Sequence, residues 1–392
     1  MNTTPDVFCS LAARPAPPTG RYRRGVTITL RRVTADDWET WRPVRLAALA
    51  DSPGAFGSTL AEWADAPVHR WRARLSIPGA LDLLAQTEDG SVVGMASGVP
   101  GEDPGTAGLI SMWVDPVARG RGVATALVRA VATWAASAGA HHLELSVVPD
   151  NTTARRTYER CGFTVVDEPV ADEPGDALPD GRRELVMRRD LTAERTLDAY
   201  ERAADRYAER TDDHRAGLVD DLLALVPVGA RVLELGSGPG RDALALEAAG
   251  LVVDRTDGAR SFVEALRSGG RDARLLDVRS DAFGGPYDAV FANAVLLHVA
   301  RTELGAVLVR LRDAVRPGGV LAATLKHGDG DAWSTRKLDH ARHFTYWTPE
   351  PLAALVARSG WVDVDVRETT RPGADERWLT VTARRPREAG TP

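Results

Sequence analysis

The sequence predicts an α/β protein of two domains, the second built on a doubly wound, mainly parallel sheet. The chain has 392 residues, which is too long for one ordinary core and suits two. Segments with strand and helix periodicity alternate along it. Two glycine-rich stretches, at 118–124 and 235–242, each follow a predicted strand and open a predicted helix.

Composition is that of a globular protein. Hydrophobic residues make up 44% and charged residues 27%, and no apolar run is long enough for a membrane-spanning helix. The formal charge of −6 gives no overall basic surface, so nucleic acid is disfavoured as a partner. The start of the chain lacks a basic leader, which makes the cytoplasm the expected location. Cys9 and Cys161 form neither a disulfide framework nor a metal-ligand cluster, and we expect no metal.

In the first half of the chain, strands and helices alternate. Extended segments are predicted at 26–33, on both sides of the Asp89–Gly90 turn, at 107–114 and at 141–148. A helix is predicted over 35–50, and another follows the first glycine stretch. One face of this second helix carries Val123, Leu127, Val128, Val131 and Trp134.

The boundary between the domains is predicted near 191–196. The acidic segment 167–181 is too polar to bury a core, and we interpret it as a loop within the first domain. After the boundary, one helical face carries Leu197, Tyr200, Ala204 and Tyr207. We therefore divide the chain into a poorly ordered start at 1–25, domains at 26–191 and 192–386, and a tail at 387–392.

The second half alternates more regularly. Strands are predicted at 231–236, 251–257, 273–278, 287–293 and 318–326, with helices at 241–250 and 260–269. This order predicts the doubly wound sheet, with ligands outside the carboxyl ends of its strands.

The first glycine stretch has the features of an anion site. The first turn of a helix exposes unpaired amides and the positive end of the helix dipole, and glycine lets a phosphate approach the backbone. The candidate residues are Arg119, Gly120, Arg121, Gly122, Val123 and Ala124. The alternative is a basic loop that only begins a surface helix.

A second motif lies downstream, on one side of a short helix and at its end. Its residues are Asn151, Ala154, Tyr158, Gly162 and Phe163. Together with Arg119, Gly122 and Ala124, this order resembles the GNAT superfamily of acetyl-CoA-dependent N-acetyltransferases over about residues 26–191. The resemblance implies a mixed central sheet with flanking helices, the pyrophosphate of coenzyme A in the first loop, and Asn151 among the cofactor-binding residues.

The same resemblance implies how the chemistry is divided. The strand at Met112, Trp113 and Val114 would splay from its neighbour and offer its backbone to the pantetheine arm and to the oxyanion of the tetrahedral intermediate. Tyr158 would protonate the departing thiolate, although packing its helix on the sheet is an alternative role.

An attacking amine must lose its proton, so a carboxylate base is expected. Glu62 and Glu144 are the candidates, with an exposed structural carboxylate as the alternative for each. His141 and His142 are interpreted as solvated or structural.

The second glycine stretch has a different spacing. Its glycines fall at 236, 238 and 240, and Arg241 stands where a dinucleotide fingerprint needs glycine, which argues against NAD. The pattern resembles motif I of the Rossmann-like S-adenosylmethionine-dependent methyltransferases, over about residues 192–386. The residues assigned to the cofactor are Glu234, Gly236, Ser237, Gly238 and Gly240.

Further elements follow in the order of that family, which implies a seven-stranded sheet. Asp257 ends the second strand and would accept the ribose hydroxyls, with Asp254 as its competitor. Asp277 and Val278 would lie near the adenine. The remaining residues assigned to the cofactor are Asn293, after the fourth strand, and Tyr200 and Tyr207, on the covering helix.

The acceptor of the methyl group cannot be deduced, because in-line displacement relies on positioning and needs no single base. His298 is a candidate base, with a packing role as the alternative. The aromatic and histidine-rich segment 333–347 is predicted as a loop that recognises the acceptor. The alternative is a lid that only packs on the sheet.

The sequence thus predicts a fusion of two transferases, with acetyl-CoA and S-adenosylmethionine as cofactors and small amine or hydroxyl acceptors. One alternative is a methyltransferase joined to a non-catalytic, GNAT-like ligand-sensing or assembly module, and another is a protein or RNA modifier. The oligomeric state is left open, a homodimer included.

Overall fold

The computed structural model describes residues 20–21, 27–167, 184–210, 217–336, 338–370 and 376–387. The chain divides into two compact units, Met1–Leu191 and Thr192–Pro392. Most of the start expected to be poorly ordered, the predicted acidic loop beyond its first residue, and the tail after residue 387 lie outside the described residues. No helix in the described ranges combines the length and the apolar character needed to cross a membrane.

The first unit is a mixed sheet with helices on both faces. Its strands are β1 (Gly20–Arg21), β2 (Thr27–Val33), β3 (Leu81–Thr87), β4 (Val92–Pro100), β5 (Thr106–Val114), β6 (His142–Val147), β7 (Thr164–Asp167) and β8 (Leu185–Asp190). Its helices are α1 (Trp38–Asp51), α2 (Leu60–Ala64), α3 (Val68–Arg74), α4 (Val123–Ser137) and α5 (Thr152–Arg160).

The strand order is β1-β2-β3-β4-β5-β6-β8-β7, and β5 with β6 is the parallel pair among antiparallel neighbours. This confirms the predicted mixed sheet. Gly20 and Arg21 lie in the segment that was expected to be poorly ordered, but their backbone pairs with β2 at Ile28 and Thr27.

Helix α4 covers one face of this sheet, as its pattern predicted. Val123, Leu127, Val128 and Val131 are buried, and the ring of Trp134 packs at the edge of the same cluster. The opposite face is covered by α1 and α3, whose buried side chains include Trp41 and Trp71.

Gly98 on β4 allows α4 to approach the sheet closely. A Cβ atom at this position would lie 2.5 Å from the Trp134 ring and 3.0 Å from Val131. The absence of a side chain is therefore required for this contact.

The second unit contains nine strands and seven helices in its described ranges. The strands are β9 (Arg231–Leu235), β10 (Val252–Asp257), β11 (Arg274–Leu275), β12 (Tyr287–Ala292), β13 (Val315–His327), β14 (Asp331–Ser334), β15 (Arg342–Trp347), β16 (Val362–Thr370) and β17 (Arg377–Arg384). The helices are α6 (Thr192–Arg202), α7 (Ala204–Arg210), α8 (Gly217–Leu223), α9 (Arg241–Ala248), α10 (Arg260–Ser268), α11 (Arg301–Ala314) and α12 (Pro349–Arg358).

Seven of these strands form the main sheet in the order β11-β10-β9-β12-β13-β17-β16. The first five run parallel, and β17 is antiparallel to both its neighbours. The doubly wound, mainly parallel sheet is therefore confirmed. The predicted number of seven strands did not include the β14–β15 hairpin. This hairpin joins the sheet because β15 pairs with the end of β13 at Lys326 and His327.

Two predicted elements differ in detail. The helix that opens the second unit is interrupted by a turn at Ala203, and the rings of Tyr200 and Tyr207 still meet edge to face at 5.5 Å. The segment 333–347, predicted as a loop, contains strand β15, because its backbone pairs with β14 and with the end of β13.

A buried carboxyl group supports the turn after β9. Glu234 is 2% exposed and accepts a hydrogen bond from the Ser237 hydroxyl. Burial raises the pKa of Glu234 to about 8, although the Ser237 hydroxyl acts in the opposite direction. The folded protein therefore binds this proton more tightly than the unfolded chain does.

Replacement of Gly98 by Ala should destabilise the first unit by about 1–3 kcal/mol, because the new methyl group overpacks the contact with Trp134. The measurement is hydrogen exchange of peptides from β4 and α4 in the full chain. Gly57→Ala is the control, since its Cβ would meet nothing within 4 Å. Equal exchange in the two variants would contradict the packing argument.

Glu234→Gln should flatten the dependence of stability on pH. The raised pKa stabilises the wild-type protein below pH about 4.5, and this contribution is lost as the pH rises towards about 8. Urea unfolding at pH 5 and pH 8 should therefore show a smaller loss of unfolding free energy in Glu234→Gln than in the wild type. Glu264→Gln, an exposed change on α10, should keep the wild-type difference. Parallel pH profiles for wild type and Glu234→Gln would refute this role.

Candidate active sites

In the first unit, the loop before α4 presents unpaired backbone donors. Gly120 and Gly122 have φ values of 75° and 87°, and Gly122 is the N-cap of α4. The helix makes its first hydrogen bond from Ala126 N to Gly122 O. The amides of Val123 and Ala124, in the first turn, therefore have no acceptor within the helix, and none is seen elsewhere in the described part of the chain. Such a turn can hold an anion.

The two arginines of this loop differ in their contacts. Arg119 donates from Nε to Val114 O at 3.0 Å and forms an ion pair with Asp51. Asp51 also accepts from Trp113 Nε1 at 3.0 Å, and this hydrogen bond, assisted by Ser52 and Arg119, lowers the pKa of Asp51. Arg121 is exposed. Arg119 thus fixes the loop to the strand, and Arg121 extends its guanidinium group into solvent.

The strand before the loop separates from its neighbour. The pairing between β5 and β6 is limited to residues Thr106–Gly108 of β5, which pair with His142–Glu144 of β6. Both strands continue beyond these residues. β5 also contains a bulge at Ser111, whose φ is 54°. Beyond the last pair, the β5 backbone at Met112 to Val114 is open on the side of β6, as the resemblance implied.

Side chains along this open segment alternate between the faces of the sheet. Met112 and Val114 pack against the cluster under α4, whereas Trp113 is buried on the side of α1. Trp113 can therefore serve a cofactor only through its backbone.

Tyr158 lies half-buried on α5, with its ring 5.9 Å from that of Phe163. No hydrogen bond to its hydroxyl is seen among the described residues. Burial raises the pKa of Tyr158, so the hydroxyl keeps its proton at neutral pH. Asn151, on the same helix, has a local role, because its Oδ1 accepts from Ala154 N at 3.1 Å and caps α5.

Both carboxylates considered as the base are engaged in the protein. Glu62 is exposed and accepts from Thr59 N at 2.9 Å in the capping box of α2. Glu144 accepts from Arg188 Nε at 2.7 Å. Neither is seen as a free carboxylate facing the opening between β5 and β6.

Sequence patterns missed a polar cluster beneath the bulge. Arg74 donates to Asp82 at 3.0 Å, to Ser97 at 2.8 Å and to Ser111 at 3.1 Å. Burial, followed by repulsion from Arg74, lowers the pKa of nearby Arg45 to about 10. These residues come from separate elements, so no local spacing could have indicated that they meet.

In the second unit, the glycine loop follows β9 and borders a cavity. Many residues that the sequence predicted for this site line the cavity. They are Tyr200, Tyr207, Gly236, Gly238, Asp257, Asp277, Val278, Asn293 and His298.

Three residues assigned to the cofactor do not line the cavity. Glu234 and Ser237 are buried and hydrogen-bonded to each other beneath the loop. Gly240 begins α9, where a Cβ would lie 2.7 Å from Leu266. They shape the loop from behind, because β9 and the start of α9 direct these groups into the protein.

Asp257 connects the loop to the next strand. Its carboxylate accepts from Gly238 N and Ala259 N, both at 2.8 Å. Burial raises the pKa of Asp257 to about 6, while these two amides act in the opposite direction. Asp254, its competitor, is bound to Arg274 and Tyr287 and does not line the cavity.

The side of the cavity formed by Asp277 and Val278 contains a charged residue that the sequence analysis missed. Arg279 lines the cavity and donates to Asp277 at 2.8 Å and to Glu194 at 3.0 Å. Burial opposes its charge, but Glu194 and Asp277 outweigh that effect and raise the pKa of Arg279. On the other side, Asn293 is held by Thr324 at 2.8 Å and by Asp242 at 2.7 Å.

His298 is at the centre of a network at the far end of the cavity. Its Nδ1 lies 2.6 Å from the carbonyl oxygen of His343, which can only accept, so Nδ1 carries the proton. Nε2 then accepts from the Tyr200 hydroxyl at 2.8 Å, and Arg342 donates to that hydroxyl at 3.2 Å. Burial lowers the pKa of His298 to about 3, with further contributions from Arg342 and Lys326, and the imidazole is neutral.

The segment 333–347, predicted to recognise the acceptor, contributes to this network. His343 supplies the carbonyl oxygen, and the Phe344 ring lies 4.8 Å from that of His298. Sequence analysis did not single out Arg342, which is 4% exposed and begins β15. In the described ranges, no cluster of three or more His, Cys, Asp or Glu side chains could hold a metal ion.

Family models match both units. Residues 38–163 match the acetyltransferase (GNAT) family, and residues 206–366 match a methyltransferase domain. Mycothiol acetyltransferase of Rhodococcus erythropolis is 32% identical over 143 residues, which cover 36% of this chain and 46% of that relative. The chain thus spans about half the length of this relative.

Relatives of the second unit are matched over more of their length. Trans-aconitate 2-methyltransferase of Mycobacterium sp. strain KMS is 32% identical over 202 residues, which cover 44% of this chain and 77% of that relative. The crystal structure of Burkholderia thailandensis 1,6-didemethyltoxoflavin-N1-methyltransferase covers 57% of this chain and 95% of its own, at 21% identity and a TM-score of 0.42. The chain is therefore a two-domain transferase, with an acetyltransferase domain of the GNAT family in its first unit and a methyltransferase domain in its second.

Proposed function

We propose that the chain is a bifunctional enzyme. The first unit transfers the acetyl group of acetyl-CoA to an amine, and the second transfers the methyl group of S-adenosylmethionine to a small molecule. The observation that carries the proposal is a contrast between the two glycine loops. Among the described residues, the first leaves amides without an acceptor beside Arg119 and Arg121, whereas the second uses its amides internally and lies over buried carboxyl groups.

The first loop fits a pyrophosphate. The unpaired amides at the start of α4 and the exposed guanidinium group of Arg121 are donors that face no acceptor of the described protein. When bound, acetyl-CoA supplies the acetyl thioester. The open backbone of β5 at Met112 to Val114 can then donate to an oxyanion, and the Tyr158 hydroxyl holds a proton for the leaving group.

The second loop fits a donor that carries hydroxyl groups and a positive charge. The amides of Ser237, Gly238 and Gly240 already donate to Thr256, Asp257 and Ser237, and residue 239 is proline. This loop therefore has few donors for a phosphate. Asp257 is a carboxylate at the cavity wall that can accept ribose hydroxyls. When bound, S-adenosylmethionine supplies the methyl group as a sulfonium.

The names of the relatives support small-molecule acceptors, since one is a mycothiol acetyltransferase and the other a trans-aconitate 2-methyltransferase. We propose that both units act on small molecules. The acceptor of the first unit is an amine, and the group that the second unit methylates is not assigned.

Tyr158→Phe should lower kcat for acetyl transfer by about 100-fold or more, because the variant keeps the ring contact and loses the proton donor. Thiol release from acetyl-CoA with a panel of small amines measures the effect, and the affinity for acetyl-CoA should change little. Thr152→Ala, an exposed change on the same helix, is the control. Full turnover by Tyr158→Phe would remove Tyr158 from the chemistry, and a wild type that does not bind acetyl-CoA would refute the assignment of the first unit.

Gly236→Ala should weaken the binding of S-adenosylmethionine at least about tenfold. Its Cβ would lie 2.3 Å from Val295, which borders the cavity, and φ is 63°. Calorimetry of the full chain measures this, and acetyl-CoA affinity should be unchanged. Gly270→Ala is matched, because φ is 75° there and its Cβ would meet nothing within 4 Å. Equal S-adenosylmethionine affinity in both variants would show that the donor does not use this loop.

A further inference from the structure

The bulge on β5 lies immediately before the segment of that strand that opens towards β6. Two residues of β5, Ser111 and Met112, stand opposite the single residue Ala96 of β4. The bulge thus inserts one extra residue, and Ser111 takes a φ of 54°. This left-handed conformation is unfavourable for a residue with a Cβ atom, so the surrounding structure must hold it.

The extra residue reverses the faces to which the side chains of β5 point. Ala107 and Leu109, before the bulge, pack in the cluster under α4, and so do Met112 and Val114 after it. Odd-numbered residues therefore face α4 before the bulge, and even-numbered residues face it afterwards. Backbone amides also alternate between the two edges of a strand. The bulge therefore determines which amides lie on the edge that is open towards β6.

A hydrogen-bonded cluster holds Ser111 from the other face of the sheet. Arg74 of α3 donates from one nitrogen to the Ser111 hydroxyl at 3.1 Å and to the Ser97 hydroxyl at 2.8 Å. Its other terminal nitrogen donates to Asp82 at 3.0 Å. Asp82 and Ser97 are direct partners across β3 and β4, and the Ser97 hydroxyl donates to Asp82 at 2.5 Å. Arg74 therefore ties the bulge to two neighbouring strands.

Burial keeps the guanidinium group of Arg74 in place. Its side chain is 14% exposed and that of Asp82 is 3% exposed, and the Trp41 ring lies 5.6 Å from the guanidinium carbon. Hydrogen bonds between ionised partners are stronger than those between neutral groups, and a buried pair is screened little by salt. The donor that meets Ser111 thus has a fixed position.

A second cation lies beside this cluster without joining it. Arg45 of α1 is 7% exposed, and its guanidinium carbon lies 4.5 Å from the centre of the Phe56 ring. Among the described residues, no hydrogen bond from Arg45 to Asp82 or to either serine is seen. Arg45 is close enough to repel Arg74, so it does not take the place of Arg74 at Ser111.

We propose that Arg74 is a positioning residue for acetyl transfer. By holding Ser111 it fixes the bulge, and the bulge fixes which amides of β5 meet the thioester carbonyl of bound acetyl-CoA. Arg74 acts through Ser111 and the backbone, from the face of the sheet that α1 and α3 cover. This inference rests on the acetyl transfer proposed for the first unit, and it adds a residue that lies outside both motifs of that unit.

Infrared difference spectroscopy of the full chain with acetyl-CoA, isotopically labelled at the thioester carbonyl carbon, tests this without an acceptor. In the wild type, the carbonyl band should lie at lower wavenumber than in buffer, because amide donors polarise the bond. Ser111→Ala and Arg74→Met should each lose at least about half of this shift. Both should bind acetyl-CoA within about threefold of the wild-type affinity, since the loop before α4 is unchanged.

Ser97→Ala is the matched control. It removes the other hydroxyl group that accepts from Arg74, on β4 and outside the bulge, and should keep the wild-type shift. The double variant Arg74→Met with Ser111→Ala should lose no more of the shift than Arg74→Met alone, because both changes remove the same hydrogen bond. An equal loss in Ser97→Ala and Ser111→Ala would show that the cluster only supports the fold, and would overturn the proposal.

The remaining outcomes separate this inference from the proposed function. A wild type that does not bind acetyl-CoA would refute the proposed function, and the inference with it. Binding with an unshifted carbonyl band would overturn the contact between the β5 amides and the thioester. Binding with the same shift in the wild type, Ser111→Ala and Arg74→Met would overturn the role of Arg74 and leave the proposed acetyl transfer standing.

Discussion

The character of each site depends on whether the glycine turn at the junction between a strand and a helix pairs its backbone amides or leaves them without acceptors. The first turn of a helix cannot pair its own amides, and the residues before it determine what they meet. Before α4, the amides of Val123 and Ala124 find no acceptor in the described part of the chain. After β9, the turn itself uses its donors, and Gly238 donates to a carboxylate at 2.8 Å. The same local architecture therefore produces one loop that attracts anions and one that has little capacity to bind them.

Buried charge strengthens this difference. In the second unit, Glu234 and Asp257 have raised pKa values because they are buried, so ionising them costs free energy unless a positive group is close. A sulfonium donor would provide such a group, whereas a pyrophosphate would be repelled by the carboxylate of Asp257. In the first unit, hydrogen bonds from Trp113 and Arg119 lower the pKa of Asp51, which forms an ion pair with Arg119 of the loop. The electrostatic preference of each site thus follows from which side chains lie beneath its loop.

Much of this could be predicted from the sequence, and the limit is physical. The glycine turns and their helices are contiguous, so Gly236, Gly238 and the start of α4 could be identified from spacing alone. Residues of one strand or helix point to opposite sides, and the spacing of a motif does not show which residues face the cavity. Glu234, Ser237 and Gly240 lie behind the loop and do not line the cavity. Arg279 and Arg342 escaped prediction, because their partners, Glu194 and Tyr200, lie 85 and 142 residues away. The hairpin β14–β15 was missed since its short strands lack a periodic apolar pattern.

The direction of hydrogen bonding at the far end of the cavity follows from one backbone group. The carbonyl oxygen of His343 can only accept, so it fixes the proton of His298 on Nδ1 and leaves a lone pair on Nε2. The Tyr200 hydroxyl fills that lone pair and receives a hydrogen bond from Arg342 in return. His298 therefore has neither a free lone pair nor a pKa suited to removing a proton at neutral pH. We therefore propose that His298 is the support that orients Tyr200, which is the packing alternative that the sequence left open, and its role as a catalytic base stays a prediction.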